Sequence, residues 1–343
     1  MTATERTGTR DLAEDIERLD TAVAGGDVDG ALTLVDDLLD EGLDPLDVVD
    51  VIAAVQQRVG ERWQNAEWSV AQEHAATAVA TSALESVRRI SRGVLPERGR
   101  IVIACAEHEW HALPAMLVSA ALRSRGWHVT LLGASTPTAR LNRYLQDLGP
   151  DITAVSCTVA SGLPHSRAFI EASTTAGIPV LAGGAAFGPD ARRASALGAT
   201  AWAPDARTAL EVVEKLPVVV RAAAPLPAEV TVEHSSLVSG HRSLVSTIAE
   251  AWTPYRDAGA EDQELLRDIV DQAVHAVGGA LLTGDERLLA ETSTWVHAVL
   301  EARGHAPAAW SDLGTLLQRS LHDYPVANGL LRQHWTPESP AAV

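Results

Sequence analysis

Two short groups of residues in this chain have side chains that bind metal ions and flat ligands. In the first group, nine residues separate Trp63 from the adjacent pair Glu73 and His74. In the second, Glu109 and His111 follow a short apolar run typical of a strand. A neutral imidazole is a good ligand for cobalt and other mid-row metals, and a nearby carboxylate can fix its tautomer. We therefore predict that His111 binds a metal and that Glu109 accepts a hydrogen bond from its other ring nitrogen. The alternative is a loop histidine without a ligand.

The first group can serve the same site if one helix ends near Trp63 and another begins near Glu73. An indole offers a flat apolar cover, and the Glu73 carboxylate can accept hydrogen bonds from sugar hydroxyls. The alternative is a tryptophan in the core of a helical bundle and a glutamate that caps a helix.

The elements that must position these residues follow from the spacing of apolar side chains. In residues 11–92, apolar side chains recur every three or four positions, which predicts a helical bundle. Over 99–216 short apolar strands alternate with helices, which predicts a Rossmann-like parallel sheet covered on both faces. Residues 217–230 are rich in Pro and Ala and predict a linker, and 231–335 predicts an all-helical domain. The fold class is therefore multidomain α and α/β.

Ligands of such sheets bind beyond the carboxyl ends of the strands. Ser156 and Thr158 come at the end of one predicted strand, and Gly183 and Gly184 follow another. Small hydroxyls there can contact the tail of a ligand, and glycines let a ligand approach the backbone closely. Each feature is common by itself, so its value lies in its position at the same sheet edge as His111.

Composition excludes several classes of function. The 343 residues carry a formal net charge of -18 without a basic cluster, so we expect no direct contact with nucleic acid. No apolar run reaches the roughly 18 residues of a membrane-spanning helix, and residues 1–10 lack the apolar core of a signal peptide. We therefore expect a cytoplasmic protein that does not contact membranes. Cys105 and Cys157 lie in apolar runs and are expected to be buried thiols.

Residues 12 to about 215 resemble the light-sensing cobalamin module of CarH-type photoreceptors. That module combines a Trp-x9-Glu-His helical cap with a Rossmann-like domain carrying Glu/Asp-x-His-x-x-Gly, a Ser-x-Thr/Leu step and Gly-Gly. The resemblance implies adenosylcobalamin bound base-off, with His111 as the lower axial ligand of cobalt. It also implies that light cleaves the cobalt–carbon bond and thereby changes the packing of the cap. The matching residues of this chain are Trp63, Glu73, His74, Glu109, His111, Ser156, Thr158, Gly183 and Gly184.

The chain departs from the CarH-type pattern in three places. Pro114 replaces the final Gly of the histidine motif, where it can begin the next helix. Gln64 stands where a histidine often follows the cap tryptophan and can bind cobalt after illumination, so we expect no stable bis-histidine photoproduct through that site. CarH-type proteins begin with a MerR-type DNA-binding domain, and we expect none before residue 11.

The cobalamin module followed by an all-helical domain resembles the photocobilins, which pair cobalamin with a bilin such as biliverdin. A bilin needs donors for its propionates and flat aromatic walls. The chain has no Cys after Cys157, so a thioether-linked bilin in this domain is excluded. The alternative is a helical dimerisation or regulatory domain. The candidate bilin contacts are Trp252, Tyr255, Arg256, His275, His297 and His322.

The leading hypothesis is therefore a light sensor and not an enzyme, which signals to an unknown partner protein and forms a homo-oligomer. One alternative is a corrinoid methyl carrier of a methyltransferase system, which would need an open upper face above cobalt. The other is a cobalamin-dependent regulatory protein that works in the dark.

Overall fold

The computed structural model describes residues 11–336. Its N-terminal part is a bundle of four helices, with ends set by local capping. Asp44 accepts a hydrogen bond from the Leu46 amide, and Ser69 forms a reciprocal capping box with Gln72. Apolar residues on the facing sides of the helices form the core. The helices are α1 (Ala13–Ala24), α2 (Val28–Asp40), α3 (Pro45–Gln64) and α4 (Val70–Ser91).

The middle of the chain is a parallel sheet of five strands in the order β2-β1-β3-β4-β5. The strand order reverses between β1 and β3, which is where ligands bind in open α/β sheets. The strands are β1 (Arg100–Cys105), β2 (His128–Gly133), β3 (Ile152–Ser156), β4 (Val180–Gly183) and β5 (Ala201–Ala203). The helices beside them are α5 (Leu113–Ser124), α6 (Leu141–Leu148), α7 (Leu163–Thr175), α8 (Arg192–Ala196) and α9 (Ala206–Val213). The predicted fold class is confirmed.

The last part of the described chain is helical, but its elements differ from those predicted. The first helix begins at Ala228, inside the predicted linker 217–230, because Pro227 stands directly before its first turn. Pro325 begins the final helix of this part. The helices are α10 (Ala228–Ala251), α11 (Thr253–Asp257), α12 (Ala260–Thr283), α13 (Arg287–Ala302), α14 (Pro307–Ser320) and α15 (Pro325–His334). None of the helices in residues 11–336 combines the length and apolarity needed to cross a membrane.

Alternate residues of β1 contribute to two different cores. Ile101 and Ile103 pack with the N-terminal bundle, whereas Val102 and Ala104 belong to the core that includes α10 and α12. Because successive side chains of a strand point to opposite faces, one strand connects the two cores. The loop that carries His111 follows directly from this shared strand.

Candidate functional site

His111 lies in the loop between β1 and α5, and its ring is held by Glu109. The Nδ1 atom of His111 is 2.6 Å from Oε1 of Glu109, and the same oxygen accepts the His111 backbone N–H at 2.8 Å. The Glu109 side chain is fully buried, whereas 58% of the His111 side chain is exposed. The structure thus contains the Glu109–His111 hydrogen bond that the sequence predicted.

The second carboxylate oxygen of Glu109 connects the two loops at the point where strand order reverses. Its Oε2 accepts hydrogen bonds from the backbone N–H groups of Thr158 at 2.5 Å and Val159 at 3.2 Å, after β3. Burying a carboxylate is costly unless hydrogen bonds satisfy it, and this one accepts four. Glu109 therefore fixes both the orientation of His111 and the approach of the two loops.

The electrostatics of this pair determine which nitrogen of His111 is free. Burial raises the pKa of Glu109, but hydrogen bonds from His111 and Thr158 outweigh it and leave the pKa below its ordinary value. The hydrogen bond to Glu109 raises the pKa of His111, and the charges of Glu109 and Glu73 act in the same direction. Because an ionised carboxylate can only accept, Nδ1 of the neutral ring carries the proton and the Nε2 lone pair is free for a metal.

The three predicted cap residues lie at the junction of α3 and α4. Trp63 is half-buried in the last turn of α3, and Glu73 is in the first turn of α4. Oε1 of Glu73 accepts a hydrogen bond from Thr77 at 3.0 Å, and its charge acts on His111. The cap carboxylate is therefore close enough to influence the His111 ring. His74 is 75% exposed beside Glu73 and is the least enclosed of the three.

An apolar cavity of about 410 Å³ opens beside the carboxyl ends of β3, β4 and β5, with walls from α3, α5 and α9. Ser156 and Gly183 are paired neighbours in the sheet, and both line this cavity together with Gly184. A Cβ atom on Gly183 would lie 2.9 Å from the Ala203 carbonyl oxygen, and one on Gly184 would lie 2.3 Å from that of Cys157. Gly184 also has a φ of +101°, which few other residues adopt. Only glycine therefore fits this wall.

The residues present fit a corrinoid. Nε2 of His111 is an available axial nitrogen, and the small-residue cavity can take a nucleotide tail. Thr158 adds a hydroxyl oxygen that is buried without a hydrogen-bond partner within the described residues, as expected of a contact reserved for a ligand. Cys105 and Cys157 are buried, as predicted, and burial raises the pKa of both thiols, that of Cys105 to about 12. Neither thiol is therefore ionised for metal binding.

Three residues of the site were not predicted from sequence. Gln56 lines the cavity and donates to the Thr77 hydroxyl at 2.8 Å, which extends the chain of hydrogen bonds from Glu73. Trp110, between Glu109 and His111, has 73% of its surface exposed. Arg303 donates to the Trp63 carbonyl oxygen at 3.0 Å and lies 5.4 Å from the centre of its ring. Gln56 could have been found in the sequence, because it interrupts an apolar helix face. Nothing in the neighbouring sequence marks Arg303.

The candidate bilin contacts do not converge on one place. Trp252 is fully buried, and its Nε1 donates to the Ala309 carbonyl oxygen at 2.9 Å, so it is a core residue and not an open aromatic wall. His322 is 72% exposed at the end of α14, and Arg256 is exposed on α11. Tyr255 and His297 are half-buried on α11 and α13.

His275 has a different environment from the other candidates. Its ring stacks on His241 with 4.0 Å between ring centres, and its Nε2 lies 3.5 Å from Asp271. Burial lowers its pKa, and the neighbouring His241 adds to this effect. His275 therefore belongs to a separate cluster within the C-terminal helices.

Comparison with known proteins agrees with this site. Residues 15–88 and 99–214 match two family models, each described as a B12 binding domain. The chain is 34% identical over 160 residues to the HTH-type transcriptional repressor CarH of Myxococcus xanthus, which is 44% of this chain and 52% of that protein. It is 31% identical over 117 residues to the repressor CarA of the same organism, covering 34% and 40%. The chain thus spans about half the length of the curated relatives it matches, or less.

The solved structures support the fold. The monomethylamine corrinoid protein of Methanosarcina barkeri superimposes with a TM-score of 0.54 at 19% identity, covering 60% of this chain and 99% of that one. This likeness concerns architecture alone. The two B12-binding domains indicate a cobalamin cofactor.

Proposed function

We propose that this protein, whose B12-binding domains are homologous to those of CarH and CarA, is a light sensor. In this proposal it holds adenosylcobalamin base-off, with Nε2 of His111 as the lower axial ligand. The bound cofactor supplies a cobalt–carbon bond that light can cleave. The observation that supports the proposal best is the buried Glu109 carboxylate, which holds Nδ1–H of His111 at 2.6 Å and leaves Nε2 free.

The chain's own residues provide a route from the cofactor site to the rest of the protein. Trp63 and Glu73 would cover the upper face, where the adenosyl group would contact them. Arg303, directly after α13, donates to the carbonyl oxygens of both Trp63 and Gln64. A shift of Trp63 would therefore change its contacts with the C-terminal helices. A conformational switch requires such a difference in contacts between its two states. We propose that a partner protein reads this change.

The two alternatives have less support. A methyl carrier needs an open upper face, whereas Trp63, held in place by Arg303, lies in the cap that would cover it. A regulator that works in the dark would use the same cobalamin site but would respond to ligand alone. Illumination therefore separates it from a light sensor.

Illumination of the full chain loaded with adenosylcobalamin in the dark tests the proposal. We expect green light to change the absorption spectrum and also the mass or shape measured by light scattering and small-angle X-ray scattering. Protein loaded with hydroxocobalamin, which lacks a cobalt–carbon bond, should not respond. An unchanged spectrum and unchanged assembly after illumination of the adenosylcobalamin form would exclude light sensing.

A pair of variants tests the proposed route. Arg303→Ala should keep the spectral change but reduce the change in shape, because it removes the contacts with Trp63. Arg242→Ala, which alters an exposed arginine on α10, should behave as the wild type. A full change in shape in Arg303→Ala would mean that the signal takes another route.

We also propose that the C-terminal helices hold biliverdin without a covalent bond. Two half-buried imidazoles support this. Burial lowers the pKa of His234 on α10, and the nearby His165 on α7 acts in the same direction, so the two neutral rings lie close together and offer N–H donors to a bilin. Titration of the full chain with biliverdin should give a sharpened, red-shifted absorption band with one equivalent bound. His234→Ala should weaken this band and His322→Ala should not. Absence of the band would exclude the bilin and leave the cobalamin proposal intact.

A further inference from the structure

Two helices of the C-terminal domain bring two imidazoles to one carboxylate. Asp271 and His275 lie one turn apart on α12, and His241 lies opposite them on α10. Nε2 of His241 is 2.7 Å from one carboxylate oxygen of Asp271, and Nε2 of His275 is 3.5 Å from the other. These three residues are called the α10–α12 triad below.

The triad has the geometry of a cation site. One ligand atom from each residue lies within 4.8 Å of the other two, and the two rings stack so that neither blocks the other. Two imidazole nitrogens and a carboxylate oxygen form a donor set for divalent zinc, nickel, cobalt or iron. The side chains are 21%, 37% and 28% exposed for His241, Asp271 and His275, so an ion can reach them while the two helices limit their movement.

The surroundings are compatible with a bound cation. The positive charge of Arg267 acts on Asp271, and the exposed Asp268 is a second carboxylate close enough for its charge to interact with that of Asp271. The Arg267 guanidinium is also directed to the Ser246 hydroxyl at 3.1 Å. A metal ion bound to His241 and Asp271 would displace the proton that the two side chains share, because metal ligands must be deprotonated.

We propose that His241, Asp271 and His275 form a site for a divalent transition-metal ion, separate from the cobalt of the corrinoid. Three protein ligands leave a fourth position open to water or to another ligand. Since the ligands come from two helices, the ion would also fasten α10 to α12. The proposal depends on neither cobalamin nor bilin binding.

Zinc titration by calorimetry tests the site. The full chain is used without an affinity tag and after chelator treatment. It is loaded with cobalamin so that His111 is occupied, and the titration is repeated in the His111→Ala variant, which lacks that histidine. We expect one equivalent of zinc to bind and to raise the melting temperature. His241→Ala and Asp271→Asn should each lower the affinity by about 100-fold, because each removes one of only three ligands.

The matched control is His322→Ala, which removes an exposed histidine that also lies beside a carboxylate, 3.0 Å from Asp323. It should bind zinc as the wild type does. Circular dichroism of each variant checks folding, and Asp271→Asn preserves side-chain volume if His241→Ala does not fold. Binding of less than half an equivalent, or binding that both triad variants retain, would overturn the proposal. Equal loss in His322→Ala would assign the zinc to surface histidines and overturn it as well.

Discussion

His111→Ala should lower the affinity for adenosylcobalamin by at least about 100-fold, since outer-shell partners alone contribute 10–100-fold to metal sites. The variant loses the axial nitrogen and also removes one of the four hydrogen-bond donors to the buried Glu109 carboxylate, the ring N–H, while the backbone N–H of residue 111 stays. Equilibrium dialysis in the dark measures the affinity. The absorption spectrum of any bound cofactor should lose the features of nitrogen-ligated cobalt.

Two further variants place this result in context. Glu109→Gln keeps the volume of the side chain but offers only one accepting oxygen, so we expect an affinity loss of about 10–100-fold. His108→Asn changes an exposed histidine in the same loop at a φ of +66°, which asparagine tolerates, and it should bind as the wild type does. Unchanged stoichiometry and colour in His111→Ala would refute His111 as the cobalt ligand.

Asp285→Ala should lower the free energy of unfolding by about 3–5 kcal/mol, the usual cost of leaving a buried charge without its partner. Asp285 and Arg193 are both fully buried, with 2.9 Å between Oδ2 and Nε, and the pair joins α8 to the turn before α13. Glu291, at 2.7 Å, would be the remaining carboxylate on Arg193. Urea denaturation of the cobalamin-free protein, followed by tryptophan fluorescence, measures the loss.

The pH dependence gives a second check on this pair. Burial raises the pKa of Asp285, but the hydrogen bond from Arg287 and the charge of Arg193 outweigh it and leave the pKa lowered. The stability that the carboxylate contributes is therefore complete above the unfolded pKa of about 3.9 and is lost as pH falls below it. Asp190→Ala, which breaks an exposed pair with Arg287, should have a much smaller effect. Equal losses in both variants would show that burial of the pair is unimportant.

The sequence was most informative where function depends on neighbours along the chain. Glu109 and His111 are two residues apart, so their hydrogen bond and their place at a strand end could be predicted from local spacing. The glycines at 183 and 184 were found for the same reason. Such positions are fixed by strand periodicity and loop length, which a single sequence displays.

Contacts between distant segments could not be predicted in this way. Arg303 and Trp63 are 240 positions apart, and the contact depends on how α13 packs against the end of α3. Trp252 was misinterpreted because an indole that lines a ligand pocket and one that fills a core have the same local sequence signal. Only the packing of α10 against α14 decides between them.

The shared strand β1 has a consequence for how this protein can be divided. Val102 and Ala104 lie in a continuous core with residues of α10 and α12, so the C-terminal helices cannot be removed without disrupting that core. A fragment that ends before residue 228 would expose apolar surface that the intact chain covers, and such surfaces promote aggregation. Exchange of this segment for another domain would therefore require redesign of the surface beneath it.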